Sequence, residues 1–254
     1  MPPRLRNVLR LMFIVGLPAA LPVFADSVSL SPVADTALFN AFPNNNMGSN
    51  ANVAAGATAS GAIFRAMVKF DLAGAIPAGA TVDSVSLELR DVSSSASFIS
   101  SNFELHRLLA DWGEGTGTGN QGRAATNGEA TWNSRFHNVA AWSAPGGATG
   151  VDFATNVSSS AFISVSGALT TWSSSAEMIA DVQFWLDTPS SNFGWALLSD
   201  AEGTLETARR FASREDTMGR GPKLTVQFTP VPEPAPVALL ASALAAVAMS
   251  RRRP

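Results

Sequence analysis

Residues 81–90 have the sequence Thr-Val-Asp-Ser-Val-Ser-Leu-Glu-Leu-Arg, in which apolar and polar side chains alternate along almost the whole segment. This period of two is typical of a β-strand with one face in a core and the other in water. Shorter segments of the same kind occur at residues 62–70, 103–108, 193–198 and 223–228, separated by Gly, Pro, Asn and Ser clusters. Short strands with frequent breaks predict an all-β protein built as an antiparallel β-sandwich.

Two regions depart from this pattern. Between residues 176 and 186 the apolar positions, from Met178 to Val182 and Trp185, recur at helical spacing after serines that can cap a helix. We therefore predict one short helix. Residues 113–150 are rich in Gly, Asn, Thr and Ala, and predict an extended loop region with only brief strands.

The N-terminus has the pattern of an export signal. Three arginines precede the apolar residues 11–17, and small residues follow up to Ala25. This pattern predicts a signal peptide over residues 1–25, with cleavage between Ala25 and Asp26. The alternative, an uncleaved membrane helix, is disfavoured because two prolines interrupt the apolar run.

The C-terminus combines a turn motif, an apolar run and a basic cluster. In order these are Val231-Pro232-Glu233-Pro234, residues 235–250, and Arg251, Arg252 and Arg253. Proline does not continue a helix or a central strand, so the motif is accessible to a processing enzyme. The apolar run has 16 residues, fewer than the roughly 20 that span a bilayer. The arginines are expected to stay cytoplasmic, which places the body outside the inner membrane.

This arrangement, over residues 230–254, resembles the PEP-CTERM sorting signal of Gram-negative bacteria. The resemblance implies that an exosortase acts at the Pro-Glu-Pro motif and that the C-terminal hydrophobic helix anchors the chain transiently in the inner membrane. It implies export to the cell surface or extracellular matrix. An ordinary single-span anchor, or a hydrophobic tail that is not processed, is the alternative.

The body between the two ends is acidic and lacks cysteine. Residues 26–230 hold 11 basic and 19 acidic side chains, a net charge of −8. Nucleic acid is therefore excluded as an expected partner, because binding a polyphosphate needs clustered Lys and Arg. Without disulfides, stability has to come from a packed core.

Several motifs occur along the body in a characteristic order. They are Asp35-Thr36, Pro43-Asn44-Asn45-Asn46 followed by Gly48, and the segments 65–72, 76–82, 111–114, 130–133, 181–185 and 211–215. In this order they resemble the DNRLRE-type domain, over nearly all of residues 30–228, and we predict that the domain covers residues 26–229. The resemblance implies a jelly-roll-like antiparallel β-sandwich of secreted proteins, related to a carbohydrate-binding module family with alginate among its ligands. Extracellular polysaccharide is thus the expected partner.

Three side chains are candidates for ligand binding. Arg65 and Arg214 have planar guanidinium groups that suit a uronate carboxylate. The alternative is a set of structural ion pairs that includes Asp35 and Glu215. Trp142 is a candidate sugar-stacking platform because it is the tryptophan least constrained by the motif pattern, with core packing as its alternative.

A structural calcium ion is a further candidate. Asp35, Asn44 and Asn46 offer hard oxygen ligands, although their spacing fits no EF-hand loop. No pair of carboxylates is marked as a glycosidase pair, and no nucleophile elbow or phosphate loop occurs. We therefore expect a non-catalytic protein that binds polysaccharide. A structural matrix or spacer protein is the alternative, and a polysaccharide-acting enzyme is a more distant one.

Overall fold

The computed structural model describes residues 24–93 and 98–231. Most of the predicted signal peptide lies outside this range, as do Pro232, Glu233, Pro234 and the arginines at 251–253. Ala25, Asp26 and Val231 lie inside it. Phe24–Val231 forms one unit. In the part of the chain that the structure describes, no helix combines the length and the apolar character needed to cross a membrane.

The described residues are mostly β-structure with a single α-helix. In chain order the strands are β1 Asp26–Leu30, β2 Pro32–Phe39, β3 Asn45–Asn46, β4 Asn52–Ala57, β5 Ile63–Phe70, β6 Thr81–Arg90, β7 Ser101–Arg107, β8 Arg123–Ala124, β9 Ser134–Phe136, β10 Ala140–Ala141, β11 Ser159–Ile163, β12 Leu169–Trp172, β13 Trp195–Ser199, β14 Arg209–Ala212 and β15 Lys223–Thr229. The helix α1 covers Ala176–Asp187, and a 3₁₀ turn follows at Pro189–Ser191. The predicted all-β class with one short helix is confirmed in these residues.

The first sheet has four antiparallel strands in the order β1-β15-β6-β12. Strand β6 buries Val82, Val85, Leu87 and Leu89. Val82 and Val85 are three positions apart instead of two. The pairing of β6 with β15 shifts register at the same place. A bulge of this kind lets one extra residue leave the ladder, so both valines remain on the core face. The predicted alternation is thus kept on both sides of the irregularity.

The second sheet is antiparallel and contains β11, β7, β13, β5, β4 and β14 along one path, with β2 paired to β5. The two sheets pack on a shared hydrophobic core. From β6 it receives Val85 and Leu87, and from the second sheet it receives Phe103, Leu105 and Trp195. All five side chains are at most 1% exposed. The molecule is therefore a sandwich of two antiparallel sheets.

A second hydrophobic cluster covers the other face of the larger sheet. Leu38 and Met67 contribute from β2 and β5, while Trp112, Trp142 and Phe153 come from the long connection between β7 and β11. This connection is the region that the sequence predicted as a loop with brief strands, and it holds β8, β9 and β10. It forms a covering layer, so the part of the larger sheet formed by β2, β5 and β13 is buried on both faces.

Helix α1 starts where the sequence predicted. The side chain of Ser175 accepts a hydrogen bond from the backbone N–H of Met178, and the helix ends at Asp187. Such a cap satisfies one of the free N–H groups of the first turn. Met178, Asp181, Val182 and Trp185 are buried, so one acidic residue lies on the apolar face of the helix. The carboxylate of Asp181 lines an open groove beside this helix.

Candidate functional site

Arg65 lies on β5 and is bound within the protein. Its Nε and Nη2 atoms donate to the two carboxylate oxygens of Glu202 at 2.9 and 2.7 Å. Its Nη1 atom donates to the carbonyls of Gly146 and Gly147 at 2.9 and 3.1 Å. The guanidinium also lies 5.4 Å from the ring centroid of Trp132. These contacts tie the covering layer to the sheet, which is the structural role that the sequence left open.

Arg214 lies in an acidic cluster. Its Nε and Nη2 atoms donate to Glu114 at 2.6 and 2.9 Å, and Nε is 2.9 Å from a carboxylate oxygen of Glu215. The backbone N–H of Arg214 donates to Asp35 at 2.7 Å. Carboxylate oxygens of Asp35, Glu114 and Glu215 lie within 4.8 Å of one another. The cluster therefore joins β2, the start of the covering layer and the segment after β14.

The carboxylates of this cluster titrate abnormally. Burial raises the pKa of Asp35 to about 7, with further raising by the charges of Glu215 and Glu114 and opposition from the hydrogen bond and charge of Arg214. Burial also raises the pKa of Glu215. The hydrogen bond to Glu114 raises the pKa of Arg214. Glu114 and Glu215 thus share one guanidinium, and Asp35 holds a proton over much of the acidic pH range.

The structure places the predicted calcium ligands in different hydrogen-bond networks. The Asn46 Oδ1 atom accepts from the N–H groups of Gly48 and Gly117 at 3.0 and 2.7 Å, and its Nδ2 atom donates to the carbonyls of Glu114 and Ala130 at 2.7 and 2.9 Å. Asn44 Oδ1 accepts from a side-chain amide, that of Asn133, at 2.9 Å. Of the three predicted ligands, only Asp35 belongs to the acidic cluster.

The acidic cluster has the oxygen donors that a hard cation prefers. However, Arg214 already bonds to Glu114 and Glu215. A calcium ion held by all three carboxylates would have to displace this guanidinium. One carboxylate oxygen of Glu215 is buried without a hydrogen-bond partner among the described residues. The carboxylates therefore suit calcium by donor type, and a calcium ion would compete with the Arg214 guanidinium for them.

Trp142 is part of the covering layer. Its side chain is 5% exposed, and its indole N–H donates to the carbonyl of Thr131 at 2.9 Å. A stacking platform has to present a free ring face, which this ring does not offer in the described conformation. Among the six tryptophans only Trp132 is more than marginally exposed, and the Arg65 guanidinium lies over its ring.

A polar groove lies elsewhere, between the end of β7, the segment before β11 and helix α1. Its volume is about 420 Å³. Its polar lining includes Arg107, Thr155, Asn156, Glu177 and Asp181. Thr155 and Asn156 are exposed. The groove therefore presents a guanidinium, carboxylates, a hydroxyl and an amide within one open surface.

Asp181 fixes the floor of this groove. It accepts from Ser158 Oγ at 2.5 Å and from the indole N–H of Trp195 at 2.9 Å. Arg107 Nε lies 2.9 Å from its other oxygen. Burial raises the pKa of Asp181, and the bonds from Ser158, Trp195 and Arg107 oppose that rise. The Arg107 guanidinium also lies 4.8 Å from the ring centroid of Phe184. These contacts hold Arg107 in one place at the wall of the groove.

No sequence pattern identifies the groove residues as a binding site. Arg107 lies near the end of a predicted strand and Asn156 precedes a serine-rich stretch, and both patterns are ordinary for surface positions. One signal was present, because an acidic residue on the apolar face of a predicted helix needs a buried partner. Asp181 occupies that position three residues after Met178.

No protein-family profile matches the chain, and no curated protein matches it.

Proposed function

We propose that this protein is exported and binds polysaccharide without catalysis at the cell surface or in the extracellular matrix, through a jelly-roll-like sandwich. The observation that carries the proposal is the groove of about 420 Å³ beside Arg107 and Asp181. Hydroxyl, amide and charged groups along an open groove match the many hydroxyls of a sugar chain. Arg107 is held in place by Asp181, so little ordering is needed on binding.

The charges of the groove favour a neutral glycan over a polyanion. Arg107 is already paired with Asp181, and Glu177 adds a second carboxylate. The whole body carries a net charge of −8, from 11 basic and 19 acidic residues between positions 26 and 230. Alginate would therefore meet a repulsive field, unless calcium bridges the like charges. The acidic cluster of Asp35, Glu114 and Glu215 is the candidate place for such an ion.

Replacing both Thr155 and Asn156 with alanine is expected to weaken glycan retention about 30-fold, since each lost hydrogen bond contributes about 1 kcal/mol. Both side chains are exposed, so the fold should be preserved. The measurement is retention of residues 26–230 on columns of neutral glycans and of alginate, with and without calcium. Thr217→Ala is the matched control, because Thr217 is exposed and does not line the groove.

The outcomes separate the candidate functions. Retention lost in the Thr155/Asn156 double variant and kept in the control supports binding in the groove. No retention on any glycan would favour the alternative, a structural matrix or spacer protein. That alternative draws support from Arg65, which is bound within the fold. Turnover of a polysaccharide by the purified body would favour an enzyme.

The proposed export route predicts a specific processing defect. Replacing Glu233 with alanine should leave the chain uncut and associated with the inner membrane, because an exosortase is expected to act at the Pro-Glu-Pro motif. The mass of the exported protein, compared with that of Met218→Ala, measures the processing. Met218 lies outside the sorting motif and is 71% exposed. Normal processing of Glu233→Ala would remove the sorting-signal proposal.

A further inference from the structure

Both sheets end in neighbouring strands on one side of the sandwich. β11 is the end strand of the larger sheet, where it pairs with β7, and β12 is the end strand of the smaller sheet, where it pairs with β6. The two strands are joined by residues 164–168. Between Asp152 and Glu177 the sequence contains no Asp, Glu, Lys, Arg or His. We call β11, β12 and their connection the uncharged edge.

The uncharged edge also exposes apolar surface. Phe162, Val165 and Leu169 are 63%, 60% and 49% exposed. All three line a groove of about 350 Å³ that runs between β11 and β12. A strand at the end of a sheet has N–H and C=O groups that point away from its only neighbour, and these can pair with another strand. Exposed apolar side chains beside such an edge add to its capacity for association.

The other sheet ends carry protective features that the uncharged edge lacks. In β2, Pro32 begins the strand and the N–H of Asp35 donates to a carboxylate of Glu114 at 2.8 Å. Beside β14, the N–H of Val92 donates to the carbonyl of Arg210 at 2.8 Å, so a neighbouring segment covers the strand. β1 begins with a charged residue, Asp26. Charge, proline and covering segments are the usual ways in which proteins block edge pairing.

The charge distribution selects a second copy of this chain as the occupant. Two bodies of net charge −8 repel each other over most of their surfaces, and the uncharged edge is where that repulsion is least. The edge itself has no charged side chain, and its charged neighbours on β6, Arg90 and Glu88, are of opposite sign, so it offers little recognition for an acidic or a basic peptide. It is also self-complementary, since an antiparallel strand pair can have two-fold symmetry.

The symmetry fixes a simple register for β12. With the two-fold axis through Thr170, Thr170 lies opposite Thr170 of the second copy and Leu169 lies opposite Thr171 of the second copy. Residues directly opposite in an antiparallel pair point to the same face, and Leu169 and Thr171 are both exposed on one face of β12. Thr–Thr and apolar cross-strand pairs are favourable.

From these observations we infer that the protein forms a two-fold symmetric dimer by antiparallel pairing of β12 with β12 of a second copy, which extends the four-stranded sheet across both molecules. The small contact area of one short strand and its flanking apolar side chains makes this a weak, reversible dimer.

Sedimentation equilibrium of residues 26–230 tests this inference, because that segment contains both hydrophobic clusters of the sandwich. We expect a reversible monomer–dimer equilibrium between about 10 μM and 1 mM. The double variant Leu169→Lys/Thr171→Lys should weaken it at least about tenfold, since the new lysines would lie directly opposite one another in the dimer. Val139→Lys adds the same charge at a site that is 72% exposed and outside the edge, and should leave the dimer intact.

A charge-reversal experiment keeps the inference testable even if a variant folds less well. Leu169→Glu/Thr171→Glu alone should also be monomeric, whereas a one-to-one mixture with the lysine variant should form a heterodimer through opposite charges at the edge. Circular dichroism reports the fold of each variant. A wild-type protein that stays monomeric at about 1 mM, or a mixture that fails to associate, would overturn the inference.

Discussion

Replacing Asn46 with aspartate should destabilise the domain by about 3–5 kcal/mol, because each buried polar group left without a partner costs about 1–3 kcal/mol. Asn46 is fully buried. Its amide donates to two carbonyls while its carbonyl accepts from two N–H groups. A carboxylate keeps the acceptors but turns both donors into repulsive oxygen contacts, and it also buries a charge.

Thermal or urea unfolding measures this effect, with a decrease in melting temperature of about 10 °C for a domain of this size. Asn44→Asp is the matched control. Asn44 is exposed and its side-chain oxygen accepts one hydrogen bond, so the exchange should cost within about 0.5 kcal/mol. If Asn46 were a calcium ligand, aspartate would instead strengthen calcium binding and protect the domain when calcium is added. That result would contradict the purely structural role.

Stability is expected to fall by up to about 4 kcal/mol as the pH rises from about 4 to 8, through Asp35 alone. The sign follows from proton binding. Burial raises the pKa of Asp35 from 3.8 to about 7, so between these values the folded state holds a proton that the unfolded chain has released. The free energy of unfolding therefore decreases with pH across this window and levels off above it.

Urea unfolding of the wild type and of Asp35→Asn, at several pH values from 4 to 8, isolates this contribution. The amide resembles the protonated carboxyl and cannot ionise, so the variant should be about as stable as the wild type near pH 4 and more stable at pH 8. Parallel stability curves for the two proteins would contradict the assignment. A calcium ion at the cluster would favour ionised Asp35, so added calcium should stabilise the wild type at pH 8 more than the variant.

Much of the fold could be predicted from local patterns. The alternation in residues 81–90 predicted β6, and helical spacing with a serine cap predicted α1, which the structure begins at Ala176. Both signals are local. Each element has one buried and one exposed face, so its apolar residues recur with the period of a strand or of a helix. The irregular spacing between Val82 and Val85 shows the limit of the rule, since a bulge restores the pattern only in pairing with β15.

The second hydrophobic cluster could not be predicted in the same way. The residues that cover the larger sheet lie in a Gly- and Asn-rich connection, where tryptophans such as Trp142 show no periodicity. Their burial depends on contacts with Leu38 and Met67, which are distant in sequence. The consecutive buried residues at the end of β2 show that this strand has both faces covered.

The candidate site depends on similar long-range contacts. Arg107 and Asp181 are 74 positions apart and meet at 2.9 Å. Asp35 and Arg214 were both selected from the sequence, and the structure brings them together through a backbone N–H. Glu114 completes that cluster from a third region. Residue type indicated which side chains needed partners, but only the fold determines which partners they have.

We propose above all that a sugar chain binds in the groove between β7, the segment before β11 and α1. Its most direct test is an NMR titration of ¹⁵N-labelled residues 26–230 with neutral and uronate oligosaccharides. We expect saturable shifts to concentrate at Thr155, Asn156 and the Arg107 Nε–H. In the absence of calcium, neutral oligosaccharides should bind more tightly than uronate oligosaccharides. Saturable shifts confined to another surface, or no shifts with any oligosaccharide, would contradict it.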